Sequence, residues 1–231
     1  MTLRVVADTS GADVAAPTIP PARDTLRPTA DYRKRGVRGW QEAESTAARD
    51  KLRRQRPCNR HYFPTPGPAR AIPISWKYSQ FSKRASGYRL THKGEAGVTP
   101  NRYVTWALRR HRDTQAEFLF LNTHFISGAF SGSHPERQGR WIRHRDEVRD
   151  LVAALKDRYP RRPVFVVGDF NRRRAVHLPG VTYVPRGNAS GVGLDHIYTS
   201  PNTPRSRSWL KGDYGSDHRA IIAWVKITAR S

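Results

Sequence analysis

The sequence predicts an α/β (α+β) chain whose core is a two-layer β-sandwich flanked by helices. Three observations carry that expectation. Short segments rich in β-branched and aromatic residues, bounded by turn formers, recur along the chain. Two of them, 117–122 and 163–167, are apolar at nearly every position, as strands buried on both faces are. Between these two lies the longest amphipathic segment, 138–159, with apolar residues at helical spacing, so a helix should pack on a sheet.

Taken in order, the chain starts with an extended stretch around Val5-Val6-Ala7-Asp8-Thr9-Ser10. A Pro- and Ala-rich loop over 10–29 and a short segment at 31–38 follow. Residues 37–41 are extended and lead into a helix over 42–56, where Ala43, Ala47, Ala48 and Leu52 form the apolar side and Pro57 ends the helix. Arg49, Arg53, Arg54 and Arg56 would then be solvated. Strands are expected at 71–76, 103–108 and 117–122, and the run Arg109-Arg110-His111-Arg112 ahead of Asp113 and Thr114 reads as the solvated tip of a hairpin. In the helix over 138–159, Trp141, Val148, Leu151, Val152 and Leu155 make the buried stripe, with Arg140, Arg143, Arg145 and Arg149 largely off it. Segment 163–167 is a central strand, and strands at 194–198 and 220–227 close the chain. With no internal repeat and no long linker, 1–231 reads as a single domain in which 1–36 is an atypical N-terminal strand and Pro/Ala-rich loop.

The 231 residues, 37% hydrophobic, suffice for one sizeable core. A mean hydropathy of -0.74 and the lack of any apolar run near ~18 residues argue against a membrane protein. The first residues lack a charged region followed by an apolar one, so a cytoplasmic chain with no membrane partner is expected, taken as a monomer. Cys58, the single cysteine, forms no internal disulfide and builds no cysteine zinc site. Charge is the loudest signal: the net charge is +23 and the pI about 11.2. Such a field attracts polyanions. Of the 42 basic residues 34 are Arg, whose planar forks suit bidentate phosphate contacts. GC-rich coding bias would explain Arg in place of Lys, but not the shortage of acids. Nucleic acid is therefore the expected partner, DNA favoured, and read through its backbone, because nothing resembles a recognition helix or a zinc finger.

Against that shortage, acids that sit beside His and Asn next to strand ends stand out. Trp40-Gln41-Glu42, Asn122-Thr123-His124, Gly168-Asp169-Phe170-Asn171 and Ser216-Asp217-His218 are such clusters, with Leu194-Asp195-His196-Ile197 between the last two. A rigid strand fixes geometry while the following loop stays open to a ligand. Glu42 and Asp217 are hard oxygen ligands suited to a magnesium ion. Water attack on a phosphodiester needs a base, a cation on the developing charge and relief of the leaving oxygen. His218, Glu42 with its ion, and His124 or Asp169 can fill those roles, with Asp195 orienting His218. Plainer readings exist for each: Glu42 capping a first helical turn, Asp169 and Asn171 as turn formers, His124 as a satisfied core histidine, His218 with Asp195 as a structural pair.

The ordered set WQE, NTHF, GDFN, LDHIY and GSDHRAI resembles the endonuclease/exonuclease/phosphatase superfamily, whose fold is deoxyribonuclease I-like, over roughly residues 37–227. The resemblance implies Glu42 as divalent-metal ligand and His124 as a phosphate contact and acid. It implies Asp169 and Asn171 as holders of the attacking water and a phosphate oxygen. Asp217 falls near the metal, and His218 is the general base with Asp195 as its carboxylate partner. Magnesium, or manganese, is the implied cofactor.

Two positions depart from the family pattern. The first strand has no Asn, so Asp8 is the substitute metal ligand, and no Glu near 69–72 pairs with His124. Arg172-Arg173-Arg174 directly follow Asn171 and are read as substrate-backbone contacts. Trp209, Tyr214 and Tyr183 are aromatic residues that either stack on bases or pack on the core edge. The expected activity is a DNA endonuclease of low sequence specificity. Alternatives are a phosphatase or phosphodiesterase acting on an inositol phosphate or lipid, or a nucleic-acid-binding remnant with a degraded site.

Overall fold

The computed structural model describes residues 2–9, 36–55, 57–65, 67–132, 134–187, 193–201, 203, 208–210 and 218–227, and for 2–9 only the backbone path. Strands β1 (Thr2–Thr9) and β2 (Val37–Gln41) are followed by helix α1 (Thr46–Gln55), β3 (Asn59–Tyr62), a 3₁₀ turn (Pro68–Ala71) and β4 (Ile74–Lys77). The chain continues through β5 (Phe81–His92), β6 (Arg102–His111), β7 (Glu117–His124), helix α2 (Glu136–Arg158), β8 (Val164–Asp169) and β9 (Thr182–Tyr183). It closes with β10 (Asp195–Thr199), β11 (Ser208–Leu210) and β12 (Ile221–Lys226). Among the described residues these strands form two six-stranded sheets, ordered β11-β12-β1-β2-β4-β3 and β5-β6-β7-β8-β10-β9. The sandwich and its flanking helices are the architecture expected. No helix among the described residues is long and apolar enough to cross a membrane.

Strand parity builds two cores. Phe118 and Phe120 of β7, Phe165 and Val167 of β8, and Ile197 of β10 face the other sheet, where they meet Val37, Ile74, Ile221 and Ala223. Leu119, Leu121, Val164 and Val166 face away and pack under Trp141, Val148, Val152 and Leu155 of α2. Both central strands are thus covered on both sides, which is why their sequences do not alternate. Asn122 staples the sheets together: its Oδ1 accepts from Gln41 Nε2 at 2.6 Å, and its Nδ2 donates to the carbonyls of Trp40 at 2.8 Å and Pro73 at 3.1 Å. Gly39 faces this staple, and a side chain there would overlap Asn122 and Val167.

Several local expectations give way to long-range packing. The helix starts at Thr46 rather than 42, with Ser45 Oγ accepting the Ala48 N–H at 3.0 Å as its cap. Glu42 lies four residues before the helix with a backbone φ of 58°, outside the first helical turn. Arg49 is buried, because its guanidinium donates to the Ala43 and Glu44 carbonyls and to Thr46 Oγ1 and so closes the loop between β2 and α1. Part of 71–76 is the end of a 3₁₀ turn. Arg109 is no loop tip: it lies inside β6, fully buried between the sheets, with its guanidinium carbon 3.4 Å from the centre of the Trp76 ring. Arg110 pairs with Glu117 at 2.7 Å, and Arg112 donates to the Tyr78 carbonyl at 2.8 Å. The 12-residue β5 escapes sequence reading because it is an edge strand with Lys83, Arg84 and Arg89 along it, and it forms by pairing with β6.

Candidate active site

Strand register assembles the site before any side chain is considered. Across β7 and β8, His124 is paired with Asp169, and across β8 and β10, Asp169 is paired with Asp195. All three have the parity of the inter-sheet face, so their side chains turn into the crevice at the strand ends. His218, at the start of the approach to β12, closes the group. Its Nδ1 lies 2.9 Å from Asp195 Oδ2 and 3.9 Å from Asp169 Oδ2, while His124 Nε2 lies 3.5 Å from Asp169 Oδ2.

The turn after β8 locks Asp169. Gly168 sits against the Thr123 carbonyl at φ 146°, where a Cβ has no room, and Asn171 takes φ 48°, a left-handed conformation that Asn tolerates better than most residues. The Asn171 backbone N–H donates to Asp169 Oδ1 at 2.7 Å, and its Nδ2 donates to Asp169 Oδ2 and to the Phe125 carbonyl, both at 3.0 Å. Both amide protons of Asn171 are therefore given to protein oxygens, and in this geometry the residue orients Asp169.

Burial pushes Asp169 from a carboxylate's ordinary 3.8 up to about 8. The Asp195 and Glu42 charges add to that rise, while His218 and the Asn171 N–H oppose it. His124 is driven well below the usual imidazole range by burial and by the cationic Arg102 beside it, so it is neutral at pH 7. A divalent cation in the crevice would offset the negative charge that Asp195 and Glu42 set around Asp169. Ligand atoms of Asp169, Asp195 and His218 lie within 4.8 Å of one another, which also fits a metal ion.

Glu42 and His124 share a pocket of about 490 Å³ whose walls include Arg70, Ile72, Asn101, Arg102 and Tyr103. Arg102 is the site residue that sequence reasoning misses. It starts β6, its one described hydrogen bond is a long 3.4 Å contact from Nε to Thr99 Oγ1, and the charges of Asp169, Glu42 and Glu44 act on it. Nothing local distinguishes it among 34 arginines. Its place at a strand start on the crevice edge is the only signal, and that needs the topology.

Of the remaining expected residues, Asp217 lies outside the described residues. The β1–β2 register sets the Asp8 backbone opposite Trp40, two residues from Glu42, and its side chain is not described. Arg172 is half-buried, its guanidinium carbon 4.0 Å from the Phe130 ring centre and 5.0 Å from that of Trp141, while Arg173 and Arg174 are exposed. Tyr183 packs edge-on against His196 and Tyr198 at the core edge, and Tyr214 lies outside the described residues.

A two-sheet sandwich with a His–Asp pair and further carboxylates at its strand ends has the form of a phosphoester hydrolase. The chain belongs to the endonuclease/exonuclease/phosphatase family, whose sequence profile matches residues 19–218. Members of this family are hydrolases of phosphate esters, generally dependent on a divalent metal. Solved structures agree on the fold. An endonuclease/exonuclease/phosphatase from Bacteroides vulgatus is 14% identical with a TM-score of 0.75, covering 99% of this chain and 100% of its own. A mannosyl-6-phosphatase from Bacteroides thetaiotaomicron is 15% identical with a TM-score of 0.73, covering 97% of this chain and 100% of its own. D. rerio TDP2, solved with a single-strand DNA product, is 16% identical with a TM-score of 0.72, covering 97% of this chain and 99% of its own. A comparison with curated protein sequences finds no match.

Proposed function

We propose that the chain is a divalent-metal-dependent phosphodiesterase that cuts nucleic acid, DNA in preference, endonucleolytically and with little sequence selectivity. The observation that carries this reading is the meeting of the His218–Asp195 pair, Asp169, His124 and Arg102 at one crevice of a chain with net charge +23. His218 is the general base. Its Nδ1–H donates to Asp195, which fixes the tautomer and leaves Nε2 to take the proton of the attacking water. Asp169, held by Asn171, orients that water. Neutral His124 donates an N–H to the phosphate, and Arg102 offers its fork to a non-bridging oxygen.

Glu42, Asp217 and Asp8 are the residues assigned to the ion, magnesium first and manganese second. We favour them over Asp169, Asp195 and His218 as a metal set, because the 2.9 Å hydrogen bond already commits His218 Nδ1 to Asp195 Oδ2. When bound, the ion supplies neutralisation of the charge that builds on the phosphate. The positive left-handed φ of Glu42 is the kind of strain that functional residues carry. Exposed Arg173 and Arg174, beside Asn171, extend the contact along the backbone of the substrate.

The pocket of about 490 Å³ favours a second reading, a compact phosphate ester such as a sugar or inositol phosphate seated against Glu42 and His124. The mannosyl-6-phosphatase with the same fold is consistent with it. One panel separates the two: supercoiled plasmid, single-stranded DNA, RNA, inositol phosphates, sphingomyelin and mannose 6-phosphate, each with magnesium and again with chelator. Plasmid nicking abolished by chelator is the expected result. Phosphate release from the small esters with plasmid left intact overturns the nuclease reading in favour of the second.

A further inference from the structure

We propose that a buried ladder of four rings beneath the crevice is the positioning device for the site; this rests on the hydrolytic reading above. Because successive residues of a strand face opposite sides, each crevice group is followed by a residue facing the helix. His124 is followed by Phe125, Asp169 by Phe170 and Asp195 by His196. These three rings stack in series with His144 of α2. His144 and Phe125 have centroids 3.9 Å apart at 15°, Phe125 and Phe170 4.7 Å at 23°, and Phe170 and His196 4.6 Å at 17°. All four residues are fully buried.

The ladder is tied at both ends to the segments that carry the site. His144 Nε2 bonds Thr123 Oγ1 at 2.6 Å, one residue before His124. At the other end the His196 Nε2–H is shared by the carbonyls of Gly193 at 2.9 Å and Arg172 at 3.0 Å, and its Nδ1 accepts from the Tyr198 hydroxyl at 3.1 Å. Trp141 Nε1 donates to the Phe170 carbonyl at 2.8 Å. A filler role needs only apolar volume. Rings stacked nearly parallel under three neighbouring motif positions also fix the tilt of each strand end, and with it the separations among His124, Asp169, Asp195 and His218. Hydrolytic geometry tolerates little displacement, so these separations set the rate. Phe125, Phe170 and His196 are positioning residues, acting through the neighbours that reach the crevice.

The test compares Phe125→Leu, Phe170→Leu and their double variant with Leu155→Ala, a substitution in the same helix-side core but outside the ladder. On the phosphodiester that the wild type cuts, at a temperature where every variant is folded, each single ring change is expected to lower kcat about tenfold or more with KM within about twofold. The double variant is expected to lose little beyond the worse single, since the rings act as one unit. Leu155→Ala is expected to lower Tm comparably and leave kcat within about twofold. Ring variants that keep kcat within twofold, or whose losses multiply in the double, overturn the proposal. A second readout needs no turnover: the downfield NMR resonance of the His218 Nδ1 proton bonded to Asp195. It is expected to shift or broaden in Phe170→Leu and not in Leu155→Ala. If the wild type cuts no phosphate ester, the hydrolytic reading fails by itself, and an unmoved resonance in folded Phe170→Leu overturns the ladder separately.

Discussion

Asp169 is the residue on which the local electrostatics turn. Burial and its carboxylate neighbours hold it protonated up to about pH 8 in the metal-free protein, whereas the unfolded chain releases that proton near 3.8. Between these values the folded state binds more protons, so this group's contribution to stability falls as pH rises. In chelator, Tm of wild type relative to Asp169→Asn is expected to fall by on the order of 3 °C per pH unit between pH 5 and 8. Added magnesium is expected to restore wild type more at pH 8 than at pH 5, read by a melting series with and without the ion. A difference that stays flat with pH contradicts the raised acid. For turnover, Asp169→Ala and His218→Ala are each expected to lower kcat at least ~100-fold, because each removes a group that acts in the transition state. Arg102→Ala is expected to lower kcat/KM by about tenfold to a hundredfold, with partial recovery in Arg102→Lys, as suits a charge-assisted contact of about 1.5–3 kcal/mol. Steady-state kinetics on the same substrate decides all three.

At the scale of elements, the strand ends depend on the staple between sheets. Asn122 bonds Gln41 and two carbonyls at once, and its replacement by Leu removes three hydrogen bonds in a buried place. Asn122→Leu is expected to cost at least about 2 kcal/mol in urea unfolding and to lower kcat, since β2 carries Glu42 and β7 carries His124. A loss below about 0.5 kcal/mol would show that the sheets hold register without it. Element type is legible where burial is two-sided: β7 and β8 announce themselves through Phe118-Leu119-Phe120-Leu121 and Val164-Phe165-Val166-Val167. It is illegible where an edge strand such as β5 draws its stability from its neighbour. The left-handed turn at Glu42, which delays α1 to Thr46, has no local signature either.

Over the whole molecule, +23 net charge makes affinity for any polyanion steeply dependent on salt. Exposed Arg173 and half-buried Arg172 then separate in their effects. Arg173→Ala is expected to weaken DNA binding and to reduce the slope of log K against log salt by about 1. Arg172→Ala removes the cation from the Phe130 and Trp141 rings and is expected to lower Tm as well. Binding isotherms at several salt concentrations and a melting curve resolve the two. An unchanged slope in Arg173→Ala places that loop away from the backbone.

The sequence by itself determined the two-sided central strands, the amphipathic helix, the excess of guanidinium groups and the order of the His, Asp and Asn clusters. These are properties of composition and short-range pattern, which local chemistry writes directly into the chain. Only the tertiary structure decided that Arg102 borders the crevice while Arg109 is sealed between sheets and Arg49 closes a loop, though all three look alike in sequence. It also decided that Asp195, Asp169 and His124 stand side by side, with a ring behind each. Strand pairing between distant segments sets which face of a residue is covered, and no window of neighbouring residues contains that pairing.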